Sequence, residues 1–147
     1  MTTPTLLFSE ETEIKLLNTE VVLAAGLYPA SGSFILVGGL YRFAFLIAPG
    51  VLGAEQTWQV QQAVTINGTP KDITGAVLVV AANGDNKPCV LEVGVDQLDI
   101  NNDYKYVTLK NTGGAAGNYS ALLFLGWGKK EPVTQDANYG QTVVLVA

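Results

Sequence analysis

The chain has 147 residues, of which 48% are apolar and 14% are charged, and it contains no histidine and one cysteine. Histidine is the commonest general base and metal ligand near neutral pH, so its absence excludes most catalytic triads and zinc sites, and a single cysteine excludes an internal disulfide. The net charge of −5, without a basic stripe, argues against nucleic-acid binding, so we expect a non-enzymatic protein without a cofactor.

The chain opens with an extended arm at residues 1–12, whose apolar part is Leu6, Leu7 and Phe8. No basic region precedes an apolar block, so we predict no signal peptide and expect the protein to be in the cytoplasm when it is made. Short runs of β-type residues follow, with turn residues about every ten positions. The predicted strands are 13–18, 21–25, 33–37, 40–48, 57–65, 73–80, 89–95, 104–110, 119–127 and 142–146.

An uncharged stretch at residues 21–41 is long enough to span a membrane. However, residues 29–33 have the composition of a turn, and Gly38 and Gly39 interrupt the second half. The stretch therefore predicts two strands, and we expect no membrane partner.

The next strands have clear periodicity. Residues 57–65 alternate, which places Trp58 and Val60 on a core face and the intervening residues on a face in water. Asn67 and Gly68 then predict a hairpin turn, because both residues readily adopt positive φ. The consecutive apolar residues 77–80 in the returning strand predict burial on both faces.

The number and spacing of these segments define the expected fold. Nine or ten short antiparallel strands are typical of an all-β protein, and we expect one β-sandwich or jelly-roll domain over residues 13–147. A closed β-barrel is the alternative.

One acidic segment has oxygen ligands that calcium uses. Asp96, Asp99, Asn101 and Asp103 lie close together in sequence, but their order does not match a known calcium loop. Asp and Asn also stabilise tight turns through their own backbone, so a structural turn is the favoured interpretation and calcium the weaker one.

Several apolar and aromatic residues are candidate interface residues. Tyr104 and Tyr106 fall on one face of a predicted strand, where packing is favoured over a glycan-binding platform. Trp127 ends its strand and is a candidate interface anchor, because tryptophans often dominate contact energies. The arm residues Leu6, Leu7 and Phe8 complete the candidate set.

Five segments together resemble small virion proteins of tailed bacteriophages, of the capsid decoration (cement) type. The resemblance spans roughly residues 40–133 and is one of strand and turn composition. The segments are 58–63 (WQVQQA), 71–76 (KDITGA), 92–102 (EVGVDQLDINN), 106–109 (YVTL) and 119–126 (YSALLFLG).

The resemblance implies a structural protein that binds and stabilises the icosahedral head. Its partners would be the major capsid protein and itself, as a homotrimer, on the capsid surface of a virion assembled in the host cytoplasm. The extended arm would add a strand to a neighbouring subunit. Two alternatives stay open: another virion component, such as a neck, tail or head-fibre base, and a glycan-binding β-sandwich module.

Overall fold

The computed structural model describes residues 12–18, 23–113, 119–128 and 140. In these ranges the regular structure consists of strands and two short 3₁₀ turns, Val95–Gln97 and Ile100–Asn102, and no helix there is long and apolar enough to cross a membrane. The strands are β1 (Thr12–Asn18), β2 (Gly26–Tyr28), β3 (Ile35–Leu36), β4 (Arg42–Pro49), β5 (Gln56–Ala63), β6 (Lys71–Val80), β7 (Cys89–Gly94), β8 (Tyr106–Gly113) and β9 (Ser120–Trp127).

The strands form two antiparallel sheets that pack face to face. The four-stranded sheet has the order β1-β9-β4-β7, and the five-stranded sheet has the order β2-β8-β5-β6, with β3 also pairing with β8. The predicted β-sandwich is therefore confirmed, and the sheets do not close into a barrel.

The order of pairing is that of a jelly roll. The pairs β1·β9, β2·β8, β4·β7 and β5·β6 are nested, so the chain runs as one long antiparallel ribbon wrapped into two sheets. The ribbon turns back between β5 and β6, where the amide of Gly68 donates to the carbonyl of Thr65 at 3.1 Å. The predicted hairpin at Asn67 and Gly68 is thus the tip of the whole ribbon, but the positive φ predicted for both residues is wrong, because the turn is centred on Ile66 and Asn67 in ordinary backbone conformations.

The core lies between the sheets and is built from alternate residues of each strand. Phe43 and Phe45 of β4 pack with Phe124 of β9, at ring-centroid distances of 5.9 and 5.6 Å from Phe124. Trp58 and Val60 of β5 fill the opposite side, and all five side chains are almost fully buried. These five residues are the inward-facing ones of their strands, because successive side chains of a strand point to opposite faces.

The uncharged stretch forms strands over its described part, residues 23–41, as predicted. The strand predicted at 21–25 is wrong where it is described, since Leu23–Ala25 is irregular and β2 begins at Gly26. Two predictions, the strand at 142–146 and the arm at residues 1–11, lie outside the described residues, and Thr12 is the first residue of β1.

Two predictions about burial are also wrong. Val77 and Val79 are 46% and 55% exposed, because β6 is the last strand in its sheet and one of its faces meets solvent. Conversely, Gln61 and Ala63 are buried on the face of β5 expected to be in water. The β2–β3 loop lies against that end of the sheet, where Thr108 Oγ1 donates to the carbonyl of Pro29 at 2.6 Å.

Candidate interaction surface on the four-stranded sheet

The outer side of the β4–β9 pair is apolar along most of its length. Because successive side chains point to opposite faces, the residues between the core phenylalanines of β4 point outward. The register sets them opposite the outward residues of β9. The outward cross-strand pairs are Arg42 with Trp127, Ala44 with Leu125, Leu46 with Leu123, and Ala48 with Ala121.

The flanking strands extend this surface on both sides. Leu16 of β1 lies opposite Leu123, and Val90 of β7 lies opposite Leu46. These two side chains are 61% and 58% exposed. We define the apolar face as Ile14, Leu16, Ala44, Leu46, Ala48, Val90, Ala121, Leu123, Leu125 and Trp127.

The charges on this side of the sheet neutralise each other. Arg42 Nη2 lies 2.8 Å from Glu92 Oε2, and Arg42 Nε donates to the same oxygen at 2.9 Å. On the described residues of β1, the charged residues Glu13 and Lys15 alternate with Ile14 and so point to the other side of the strand. The apolar face thus carries one compensated ion pair near one end.

The outer side of the central strands in the other sheet has the opposite character. The register places β5 and β8 side by side, as β4 and β9 are in the four-stranded sheet. Their outward residues are mostly polar: Thr57, Gln59, Gln61, Thr108, Lys110 and Thr112, with the pair Ala63 and Tyr106 at one end. Gln61, Ala63 and Thr108 at that end are buried, so the exposed part is polar and includes Lys110.

A small polar groove lies where the edges of the two sheets approach each other. It has a volume of about 360 Å³, and its lining includes Arg42, Glu92, Asp96 and Thr74. A bulge in β6 creates one wall, because residues 73–76 have no partners between the pairs Gln59↔Val77 and Gln61↔Asp72.

The side chain of Gln59 holds this bulge in place. Its Nε2 donates to the carbonyls of Val60 at 2.8 Å and Ile73 at 2.9 Å. Gly75 within the bulge has φ of +85°, which a glycine adopts without strain. The groove therefore has a structural origin in the bulge, and two of its three charged groups, Arg42 and Glu92, are already paired.

The predicted interface residues do not form one surface. Trp127 lies at the end of the apolar face, opposite Arg42. Tyr106 is the first residue of β8 in the other sheet and pairs with Ala63. Tyr104 precedes the strand, contrary to the predicted strand start at residue 104, and has Lys71 Nζ 4.1 Å from its ring centroid. The remaining candidates, Leu6, Leu7 and Phe8, lie outside the described residues.

The calcium candidates lie in a loop with contacts of its own. Asp99 Oδ2 accepts a hydrogen bond from Lys71 Nζ at 2.6 Å, and both its carboxylate oxygens are 2.9 Å from Asn102 Nδ2. Asp103 lies 3.7 Å from Lys105 Nζ. Within the described ranges, no three acidic, cysteine or histidine side chains cluster closely enough to hold a metal ion.

These contacts shift two pKa values in opposite directions. The hydrogen bond from Lys71, followed by that from Asn102, lowers the pKa of Asp99 below its usual value. The same bond with Asp99 raises the pKa of Lys71. Both groups are therefore charged at neutral pH, and the ion pair ties the 3₁₀ turns to the start of β6.

The sequence-based reasoning missed the apolar face, although the sequence contained a signal. Residues 43–48 and 121–125 are unbroken apolar runs, and in a sandwich of two layers each strand has only one face toward the core. Unbroken runs at the centre of such a sheet must therefore place apolar side chains on the outside.

No protein-family model and no curated protein matches the chain. Among solved structures, it is similar to a protein of Bacillus endospore appendages, described as disulfide-linked pili, with 12% identity, a TM-score of 0.39, and 88% of this chain and 100% of that one covered. It is also similar to Eiger TNF from S. frugiperda, with 9% identity, a TM-score of 0.32, and 71% and 66% covered. At these TM-scores neither likeness supports a conclusion about function.

Proposed function

We propose that the chain is a non-enzymatic structural protein of a tailed-phage virion, which decorates the capsid and stabilises the icosahedral head. The observation that carries this proposal is the apolar face of the four-stranded sheet. Leu16 and Val90 of this face are exposed, Ala44 is 4% exposed, and the other residues are partly exposed. A contiguous apolar patch on a soluble domain often marks a surface that a partner covers. Such a surface provides binding energy through burial and needs no catalytic group.

The polar face of the five-stranded sheet suits the same role in a different way. Gln59, Gln61 and Thr108 are hydrogen-bonded within the chain. Thr57 and Thr112 are left to form hydrogen bonds to a neighbouring protein, at a lower desolvation cost than charged groups. A protein with one face of each kind associates with two neighbours by different physical means. The proposed partners are the major capsid protein and further copies of this chain.

The sequence resemblance to capsid decoration proteins supplies the virion context. On this proposal the protein lies on the capsid surface after synthesis in the host cytoplasm. The predicted homotrimer stays a prediction.

Copy number per particle tests the proposal. Quantitative mass spectrometry of purified virions would compare this chain with the major capsid protein. We expect a ratio equal to that of the shell subunit or a simple fraction of it. A few copies per particle would instead indicate a neck, tail or head-fibre component, and absence from the particle would overturn the virion assignment.

Binding to bare heads provides a second test. Heads assembled without this protein should bind the purified chain to saturation and should then resist heat disruption at a higher temperature. Heads that bind the chain without any gain in stability would contradict the stabilising role.

A further inference from the structure

We infer that the apolar face is covered by the same face of a second copy of this chain, related by a two-fold axis that lies between the two sheets and crosses their strands. The inference rests on the self-association in the proposed function and is independent of the capsid. In such a contact the same surface is used by both copies.

The distribution of charge fits this arrangement. The Arg42–Glu92 pair is the charged feature of the described part of the face, and it lies toward one end. A two-fold axis across the strands puts the pairs of the two copies at opposite ends of the contact. Like charges therefore do not face each other. With the axis between the rows of Ala44 and Leu46, Glu92 comes opposite Val90 of the second copy on the outer strand β7, where partial hydration reduces its desolvation cost.

The alternation of large and small side chains also fits. The outward cross-strand pairs of β4 and β9 form four rows, with a large residue in the first three and only Ala48 and Ala121 in the fourth. An axis between the second and third rows sets Ala44 opposite Leu46 of the second copy. It likewise sets Trp127 opposite Ala121, whereas Leu125 comes opposite Leu123 of the second copy.

The available area is sufficient for a specific contact. Four strands about 4.8 Å apart and about seven residues long, with a rise of about 3.4 Å, span roughly 450 Å² in projection. The accessible area of the side chains exceeds this projection. Two copies therefore bury about 1,000 Å² in total, which reaches the lower bound for a specific interface.

Sedimentation equilibrium of the full chain at micromolar concentration tests the inference directly. We expect twice the chain mass of 15.5 kDa. A single-chain mass would overturn the two-fold contact, whether or not the protein binds a hydrophobic dye. Three times the chain mass would overturn it in favour of the predicted trimer, because three copies cannot all pair through one self-complementary face.

Two charge substitutions locate the contact. Val90→Glu and Leu16→Glu change the most exposed side chains of the apolar face, so each should fold and sediment as a single chain. Val79→Glu is the matched control, because Val79 is a similarly exposed valine on the other sheet, and it should keep twice the chain mass. A dimer that survives both substitutions with an unchanged dissociation constant would place the contact elsewhere.

Chemical cross-linking tests the position of the axis without disturbing the contact by charge. In a Cys89→Ser background, Leu46→Cys should cross-link to itself with a bismaleimide that spans about 10 Å, the usual spacing of packed sheets. Val79→Cys in the same background should not. Equal cross-linking of the two variants would overturn the arrangement.

The two-fold contact and the virion assignment can be disproved independently of each other. A dimer absent from virions would retain this inference and remove the proposed function. A monomer present at shell-like copy number would do the reverse.

Discussion

The β4–β9 pair and the β5–β8 pair occupy equivalent central places in the two sheets, and both turn buried residues toward the shared core. Their outer sides differ. The β5–β8 pair presents Thr, Gln and Lys side chains, whereas the β4–β9 pair presents mainly Leu, Ala and Trp. Both pairs have the same burial requirement on the inside, so the core does not set the difference outside. That difference is the observation on which the proposal of a second neighbour for the four-stranded sheet rests.

The sharpest way to test this comparison is to truncate neighbouring residues on the two sides of β9. Phe124 is fully buried between Phe43 and Phe45, and Phe124→Ala should lower the free energy of unfolding by about 3–5 kcal/mol. Leu123→Ala, one position away on the apolar face, should cost much less for an isolated chain. Urea denaturation at a low protein concentration would measure both.

Protein concentration separates the two variants further. If a second copy covers Leu123, the cost of Leu123→Ala should grow as concentration rises, because association stabilises the folded state by mass action. The cost of Phe124→Ala should not grow with concentration in this way, because the Phe124 side chain points into the core and not toward a second copy. Concentration-independent costs for both variants would contradict a covered face.

Much of the fold could be predicted from local features of the sequence. The turn composition at Asn67 and Gly68 locates the connection between β5 and β6, although neither residue adopts the positive φ expected of it, and the alternation around Trp58 and Val60 identifies the core side of β5. These signals act over a few residues. They require no knowledge of which strands become neighbours.

The apolar face depends on information of longer range. Its central rows join residues 42–48 to residues 121–127, which are far apart in sequence. Unbroken apolar runs also occur at two different places in the sheets. Residues 43–48 lie in a central strand, whereas residues 77–80 lie in the last strand of a sheet, where two valines are exposed. Sheet order decides between them, and sheet order is a property of the whole chain.

β1 forms one side of the apolar face, and the Asn18 side chain helps to attach β1 to β9. At the register shift in β1, the Asn18 side chain replaces a backbone group: its Nδ2 donates to the carbonyl of Ser120, and its Oδ1 accepts from the amide of Leu122, both at 2.7 Å. Asn18→Ala should cost about 2 kcal/mol, since two partly buried backbone groups lose these bonds. Thermal unfolding would show the loss.

Asn18→Asp is the matched control for this prediction. It keeps the acceptor for the Leu122 amide but not the donor for the Ser120 carbonyl, so its cost should be intermediate only if both bonds contribute. Hydrogen exchange should also show faster exchange in β1 of Asn18→Ala, with the amides of β5 unaffected. Equal acceleration in both strands would mean that the substitution destabilises the whole sandwich without loosening β1.

The five-stranded sheet extends its polar character into the core, where Asn111 is almost fully buried beside Trp58. Among the described residues its Oδ1 has no hydrogen-bond partner, and its Nδ2 reaches the carbonyl of Ala24 only at 3.5 Å. Asn111→Leu should therefore raise the free energy of unfolding by about 1 kcal/mol, because it replaces a buried unpaired oxygen by an apolar group in a side chain of the same branching. Asn111→Ala, which leaves a void, should be less stable than Asn111→Leu, and a drop in melting temperature for the leucine variant would refute the argument.

The smallest effect should come from the exposed ion pair between Lys71 and Asp99, which lies on the five-stranded side, as the Arg42–Glu92 pair lies on the apolar face. The pKa of Asp99 is lowered from 3.8, so its contribution to stability is present above that value and is lost as pH falls through the lower folded-state pKa. The pKa of Lys71 is raised from 10.5, so its contribution is present below that value and is lost as pH rises through the higher folded-state pKa.

Asp99→Asn should thus lower the melting temperature slightly and by a constant amount between these limits, and the difference from the unaltered chain should shrink in acid. High salt should reduce the difference at neutral pH, because the pair is exposed to solvent. A difference that persists in strong acid would assign the effect to the hydrogen bonds with Asn102 and not to charge.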